Sequence, residues 1–154
     1  MEILNSLSKM LWPKKNNIIL GIFALIALCG FLDATYLTLE HFRGSIPPCT
    51  LASGCETVLT SPYAVIGPVP VALLGACYYV AILFGAILVY QTKNEKLLIW
   101  LARATALGFL ASLYFFSLQA FVIGAWCQYC IASIVTSTLL FATGVYTLSR
   151  QRTV

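Results

Sequence analysis

Charge is what this chain has least of. Nine of its 154 residues are lysine or arginine and five are aspartate or glutamate, 9% in all, where a soluble domain carries about 25%. With 60% of the residues apolar, there are too few charges to cover a water-facing surface. That scarcity excludes an ordinary soluble domain and makes lipid the expected solvent. Histidine is almost missing as well. His41 is the only one, so any metal site would rest mainly on sulfur. The chain has no haem-ligand pattern and no glycine fingerprint of a dinucleotide site, and hence no bound electron carrier of its own. Repeats and low-complexity tracts are also missing, and the length suits one domain over residues 1–154. The net charge of +4 does not point to nucleic acid, because the basic residues sit in short flanks between apolar runs.

Those runs are the main feature present. They cover about Ile18–Leu39, Pro68–Tyr90, Leu97–Ile123 and Tyr129–Leu148, each near the roughly 20 residues that cross a bilayer as a helix. The first is too long for a signal-peptide core and has no A-x-A cleavage pattern, so it reads as a retained span. Pro68 and Pro70 stand at the start of the second, where a missing amide donor does least harm. The expected fold is all-α: an integral membrane bundle of four transmembrane helices, with a long loop, His41–Gly67, between helices one and two. Within that loop Glu56–Ala64 is expected to form a short interfacial helix, although Pro62 interrupts it.

Orientation follows from the basic residues. Lys9, Lys14, Lys15, Lys93, Lys96, Arg150 and Arg152 lie in the tails and the loop Gln91–Lys96, and Arg103 can snorkel to the same face, whereas only Arg43 falls on the other. The positive-inside rule then makes both termini cytoplasmic in a multi-pass protein of the cell membrane. Trp12 and Trp100 would mark the inner interface and Trp126 the outer.

Six cysteines remain to be explained. Cys29 and Cys77 lie alone within apolar runs and read as small buried apolar side chains. The other four form two pairs, Cys49/Cys55 in the long loop and Cys127/Cys130 at the start of span four. Both pairs fall on the extracytoplasmic side, where disulfides persist. Cys127-Gln128-Tyr129-Cys130 is a CxxC at a helix N-terminus, which favours negative charge and raises the thiolate fraction. Two such pairs on one face can pass a disulfide by thiolate attack through a mixed disulfide. The expected depths order a relay from a partner to Cys49/Cys55, from Cys55 to Cys127, and from Cys127/Cys130 to an acceptor. Cys127 would lie at the interface and Cys130 just inside. The acceptor has to take two electrons within lipid, which a quinone (ubiquinone, menaquinone or a related one) does. Oxidation of a DsbA-like partner, at about −120 mV, needs an acceptor more oxidising still.

Other readings stand beside this one. The pairs could be structural disulfides in a scaffold. They could bind soft metal, either as a zinc site, for which C-x5-C is wider than usual, or in a cysteine-pair membrane metal carrier. A DsbB-like protein of unrelated ancestry would do the same chemistry.

The motifs together resemble the vitamin K epoxide reductase family over nearly the whole chain. The resemblance is carried by Tyr36-Leu37-Thr38, Cys49 and Cys55, Ser61, Gly67-Pro68-Val69-Pro70-Val71 ahead of Leu74-Gly75, and Trp126-Cys127-Gln128-Tyr129-Cys130. It implies a thiol:quinone oxidoreductase similar in role to DsbB, supporting disulfide-bond formation. By that resemblance Cys130 would be the quinone-facing thiolate and Cys127 its bridge to Cys55. Cys49 would exchange with a thioredoxin-fold, DsbA-like partner, and Ser61 would lie near the quinone carbonyl. Two features depart from the pattern. Ile134 replaces a tyrosine found in vertebrate members, which argues against epoxide reduction. No thioredoxin-like domain follows, so the partner is expected to be separate.

A few polar or aromatic residues lie within the spans. Asp33 reads as a hydrogen-bonded packing residue, with tuning of the site or proton relay as the functional alternative. Arg103 reads as an anchor, Gln119 as packing rather than a quinone contact, and Tyr78, Tyr79, Tyr114 and Phe115 as core rather than pocket lining.

Overall fold

A computed structural model describes residues 14–151. Among them are four helices long and apolar enough to cross a membrane: α1 (Lys14–Arg43), α3 (Val71–Thr92), α4 (Glu95–Ser117, continued by a π-helical turn, Leu118–Ile123) and α5 (Gln128–Gln151). A short helix, α2 (Cys55–Leu59), lies in the loop between α1 and α3. The protein is therefore an all-α, multi-pass bundle. Lys9, Trp12 and Arg152, used above for orientation, lie outside the described residues.

The helices close a ring in which α1 packs on α3 and α5, and α4 on α3 and α5. On α1 the buried positions include Asn16, Leu20, Phe23, Ala27, Gly30, Ala34 and Leu37. Alternating steps of four and three keep one seam facing its neighbours, the pattern of left-handed helix packing. Large apolar side chains on the other faces, among them Leu25, Leu32, Phe84, Leu107 and Phe121, are well exposed. A helix that is apolar all round is one whose outer face meets lipid. Small residues allow close approach. A Cβ on Gly144 of α5 would stand 2.7 Å from the Ala102 carbonyl oxygen of α4. Gly144→Ala is thus expected to destabilise the bundle by about 1–3 kcal/mol, read as a lower unfolding midpoint in detergent.

Element ends differ from expectation where polar flanks cap rather than terminate. α1 runs through Lys14–Asn17 and Glu40–Arg43, well beyond the expected 18–39, since long polar side chains can reach the interface while the backbone stays helical. The connection between α3 and α4 shrinks to Lys93–Asn94. Lys93 adopts a left-handed φ of 53° and its amide donates to Val89 O, while the Asn94 side chain accepts from the Lys96 amide. The Lys93 ammonium donates to Asn17 Oδ1 at 2.9 Å, tying the base of α1 to this turn. α3 starts at Val71, after a two-stranded hairpin, β1 (Val65–Ile66) paired with β2 (Val69–Pro70). Gly67 turns this hairpin at φ +60°, a conformation L side chains rarely adopt. The expected helix Glu56–Ala64 is split into α2 and a 3-10 turn, Pro62–Ala64, because proline cannot donate to a continuing helix and is tolerated at a helix start.

Cys29 and Cys77 are both exposed rather than buried, a correction to the sequence reading. An apolar run gives no signal of which face is inward, and in lipid a thiol is as compatible with the outward face.

Candidate functional site

The long loop folds back over one end of the bundle. α2 begins at Cys55, and its inward positions, Cys55 and Val58, are 1% and 7% exposed. Gly54, just before it, lies against the chain entering α5. A Cβ there would fall 2.7 Å from the Trp126 amide nitrogen and 2.9 Å from Ala125 Cβ. Only glycine permits that approach, and it brings the loop cysteine down onto the connection that carries Cys127.

Cys127 immediately precedes α5, and its carbonyl accepts the Ile131 amide as the first helical bond. Its side chain is 0% exposed. Cys55, Cys127 and Val58 form one buried cluster, with Cys49, Leu59, Ile123, Tyr129 and Cys130 packed around it. The four paired cysteines therefore meet at one end of the bundle. Cys49 and Cys55 are joined as a disulfide, with their Cα atoms 6.0 Å apart, while Cys127 and Cys130 are thiols. Cys49 and Cys130 are both half-buried, so Cys127, expected at the interface above Cys130, is the more enclosed of the pair. The loop, not membrane depth, covers it.

Electrostatics favour a thiolate at Cys127. The hydrogen bond from the Cys130 thiol, helped by the free Cys130 and Tyr129 amides at the helix start, outweighs burial and brings the Cys127 thiol down to about 7. These are the orphan amides that every helix start presents.

Several residues hold the geometry. Gln119 is 2% exposed; its Oε1 accepts the Cys127 amide at 3.1 Å, and its carbonyl accepts the Gly124 amide that closes the π-turn. Packing was the expected role, and the side chain also aims the cysteine. The CxxC dipeptide reaches the loop. Gln128 Oε1 accepts the Thr50 and Leu51 amides, and Gln128 Nε2 and the Tyr129 hydroxyl donate to Pro48 O. One turn beyond Cys130, Ser133 donates to the Asp33 carboxylate at 2.6 Å. Tyr79 donates to Ser133 O and shares a hydrogen bond with Thr136. Asp33 is thus hydrogen-bonded across helices, as its packing role requires. Gln128 and Tyr129 entered the sequence reading only as part of the motif around the CxxC, with no role of their own, and Gly54 carried no signal. A CxxC match constrains only its cysteines, and a loop glycine reads simply as a turn.

A cavity of about 520 Å³ lies beside the cluster, between the loop and the adjoining ends of α1, α3 and α4. Apolar side chains such as Leu37, Leu59, Phe115 and Leu118 line it, with Ser61, Gln119 and His41 among its polar groups. Phe115, expected in the core, is on its wall. The Ser61 hydroxyl donates to Val58 O at 2.7 Å. Of the two residues expected at a quinone, Ser61 lines this cavity and Cys130 does not. Val58, Leu59 and Ile123 belong to both the cavity wall and the cysteine cluster, one side-chain layer between them. Among the described residues, no three histidine, cysteine or acidic side chains are grouped to hold a metal ion.

Four spanning helices that gather two cysteine pairs at one end define a membrane thiol–disulfide oxidoreductase. The model of the vitamin K epoxide reductase family matches residues 21–145, both cysteine pairs included, and the chain belongs to that family. No curated protein matches the chain significantly.

Proposed function

We propose that this chain is a thiol:quinone oxidoreductase of the cell membrane that oxidises a thioredoxin-fold, DsbA-like partner and so supports disulfide-bond formation. The joint burial of Cys55 and Cys127 in one cluster carries this reading, with Cys49 less enclosed beside it. Residues 1–154 act as one four-helix domain, with the two ends of this segment cytoplasmic and the cysteine end extracytoplasmic. The basic residues Lys14, Lys15, Lys93, Lys96 and Arg150, all near the opposite helix ends, support that orientation.

The relay balances as follows. A partner dithiol attacks the Cys49–Cys55 disulfide at Cys49 and leaves oxidised, and both loop sulfurs are then reduced. The Cys55 thiolate attacks Cys127 in a Cys127–Cys130 disulfide, releasing Cys130 as thiolate. Cys49 then attacks Cys55, which restores the loop disulfide and frees Cys127. The electron pair now rests on Cys127/Cys130, with the loop bridged and the CxxC reduced. The pair passes from Cys130 to a quinone substrate, ubiquinone, menaquinone or a relative, which takes up two protons as the Cys127–Cys130 disulfide re-forms.

The apolar cavity fits a quinone ring, and the Ser61 hydroxyl on its wall, which donates to Val58 O, would turn its single proton to the ring carbonyl when the quinone binds. Ser61→Ala is expected to raise the apparent KM for quinone several-fold, about the worth of one hydrogen bond, with kcat little changed. An unchanged KM would remove Ser61 from the quinone site. The function itself is tested in vesicles reconstituted with a single defined quinone. Oxidation of a reduced DsbA-like protein should require both the chain and the quinone, and equal rates without quinone would refute the reading.

A further inference from the structure

The segment that carries Cys49 is held by the two residues between the other cysteines. Residues 48–51 belong to no helix or strand, and Pro48, Thr50 and Leu51 are exposed, so packing and the bridge to Cys55 fix the Cys49 side chain but not the backbone on either side of it. Hydrogen bonds do. Gln128 Oε1 accepts the amides of Thr50 at 3.1 Å and Leu51 at 2.9 Å. Gln128 Nε2 donates to the Pro48 carbonyl at 3.3 Å and the Tyr129 hydroxyl donates to the same oxygen at 3.0 Å, using both of its lone pairs. The grip therefore falls on the backbone on both sides of Cys49, and it comes from the dipeptide whose flanking residues are Cys127 and Cys130.

We propose that Gln128 and Tyr129 are positioning residues for exchange between the two cysteine pairs, clamping residues 48–51 so that the loop sulfurs are presented to Cys127 at high effective concentration. This rests on the relay proposed above. The step served is attack of the Cys55 thiolate on Cys127: the Cys127–Cys130 bond breaks, the Cys55–Cys127 bond forms and Cys130 leaves as thiolate, with no outside oxidant. Exchange between groups on one chain is governed by how often they meet in bonding geometry. A loop released from the clamp spends less time there.

The test uses the full chain in detergent with Cys49→Ala and Cys130→Ala, leaving Cys55 and Cys127 as the exchanging pair. It is equilibrated with reduced and oxidised glutathione, and the state of Cys127 is mapped by mass spectrometry. The same chain with Cys55→Ala added reports the exchange of Cys127 with glutathione alone. The ratio of the two equilibria is the effective concentration, free of changes in the intrinsic reactivity of Cys127. Gln128→Ala, which removes three bonds, should lower that ratio about tenfold or more. Tyr129→Phe keeps the ring that packs 5.5 Å from Tyr36 and loses only the hydroxyl, so it folds as the parent does. It should lower the ratio a few-fold. A ratio unchanged in both variants overturns the proposal, as does a change confined to glutathione exchange at Cys127. Neither measurement needs quinone or partner protein. Failure of quinone-dependent turnover with a clamp-dependent ratio would therefore sink the functional reading alone.

Discussion

Replacing Cys130 by alanine is expected to stop quinone-dependent turnover, lowering kcat at least about a thousandfold, the scale for loss of a group that reacts covalently. Electrons would still enter. The loop disulfide can still oxidise a partner dithiol once, and in chains whose loop is bridged the Cys127 thiolate can attack Cys55, packed in the same cluster, releasing Cys49 as thiolate. The resulting Cys55–Cys127 bridge should accumulate because no Cys130 is there to resolve it toward the quinone. A second effect follows from the hydrogen bond that Cys130 gives Cys127. That bond brings the Cys127 thiol down to about 7. Without it the pKa moves back up toward the ordinary thiol value, and less thiolate is present at neutral pH. Formation of the bridge in the variant should therefore speed up as pH rises above 7. Quinone absorbance in stopped flow gives the first quantity, and non-reducing peptide mapping gives the second. Turnover within tenfold of the parent would mean that electrons leave by another route.

The second large effect is expected at Gly54. Its backbone lies at φ −106°, open to any L residue, so the cost of a side chain there is not conformational strain. It is space: an alanine Cβ would sit 2.7 Å from the Trp126 nitrogen and 2.9 Å from its carbonyl oxygen. Backbone atoms cannot rotate aside, so the loop or the start of α5 must move. A displacement of about 1 Å can cost a hundredfold when reacting atoms must be aligned. Gly54→Ala is thus expected to slow loop-to-CxxC transfer by one to two orders of magnitude, about the effect of such a shift. Exchange of Cys49 with a partner should stay near the parent rate, because that sulfur lies at the less enclosed side of the cluster. Rapid-quench trapping of the two disulfides separates these steps. Equal slowing of both would point to general loosening of the loop.

The sequence makes some of this visible and hides the rest for physical reasons. Long apolar runs declare themselves because lipid demands them, and the four spans were legible to within a few residues. The count of spans, with the loop pair after span one and the CxxC at the start of span four, was enough to expect both pairs at one end of the bundle. Facing was not legible. Cys29 and Cys77 lie on outward faces, since a helix apolar on all sides carries no periodic cue. Nor were contacts between distant segments. Gln119 looks like any polar residue near a span end until its oxygen is found on the Cys127 amide. Gln128 is unconstrained by the CxxC pattern until its partners 77 and 78 residues away are known. Asp33 was conspicuous as a carboxylate among apolar neighbours, yet only the fold identifies Ser133, 100 residues on, as the donor that satisfies it.

The winding of α4 has a consequence of its own. Over Leu118–Ile123 the helix takes a π-turn before Gly124 ends it at φ 67°. Such a turn accommodates one more residue than regular winding, and each residue of an α-helix rotates the chain by about 100°. The widened turn thus acts as a phase adjuster between the lipid-spanning part of α4 and the sulfur that follows it. Excising a single residue other than Gln119 from it would restore ordinary helical pitch. It would also turn Gln119 Oε1 away from the Cys127 amide it accepts and rotate the start of the connection to Cys127 by about 100°. In this bundle an irregular winding and the short connection after it, Gly124–Cys127, together set the bearing of the sulfur.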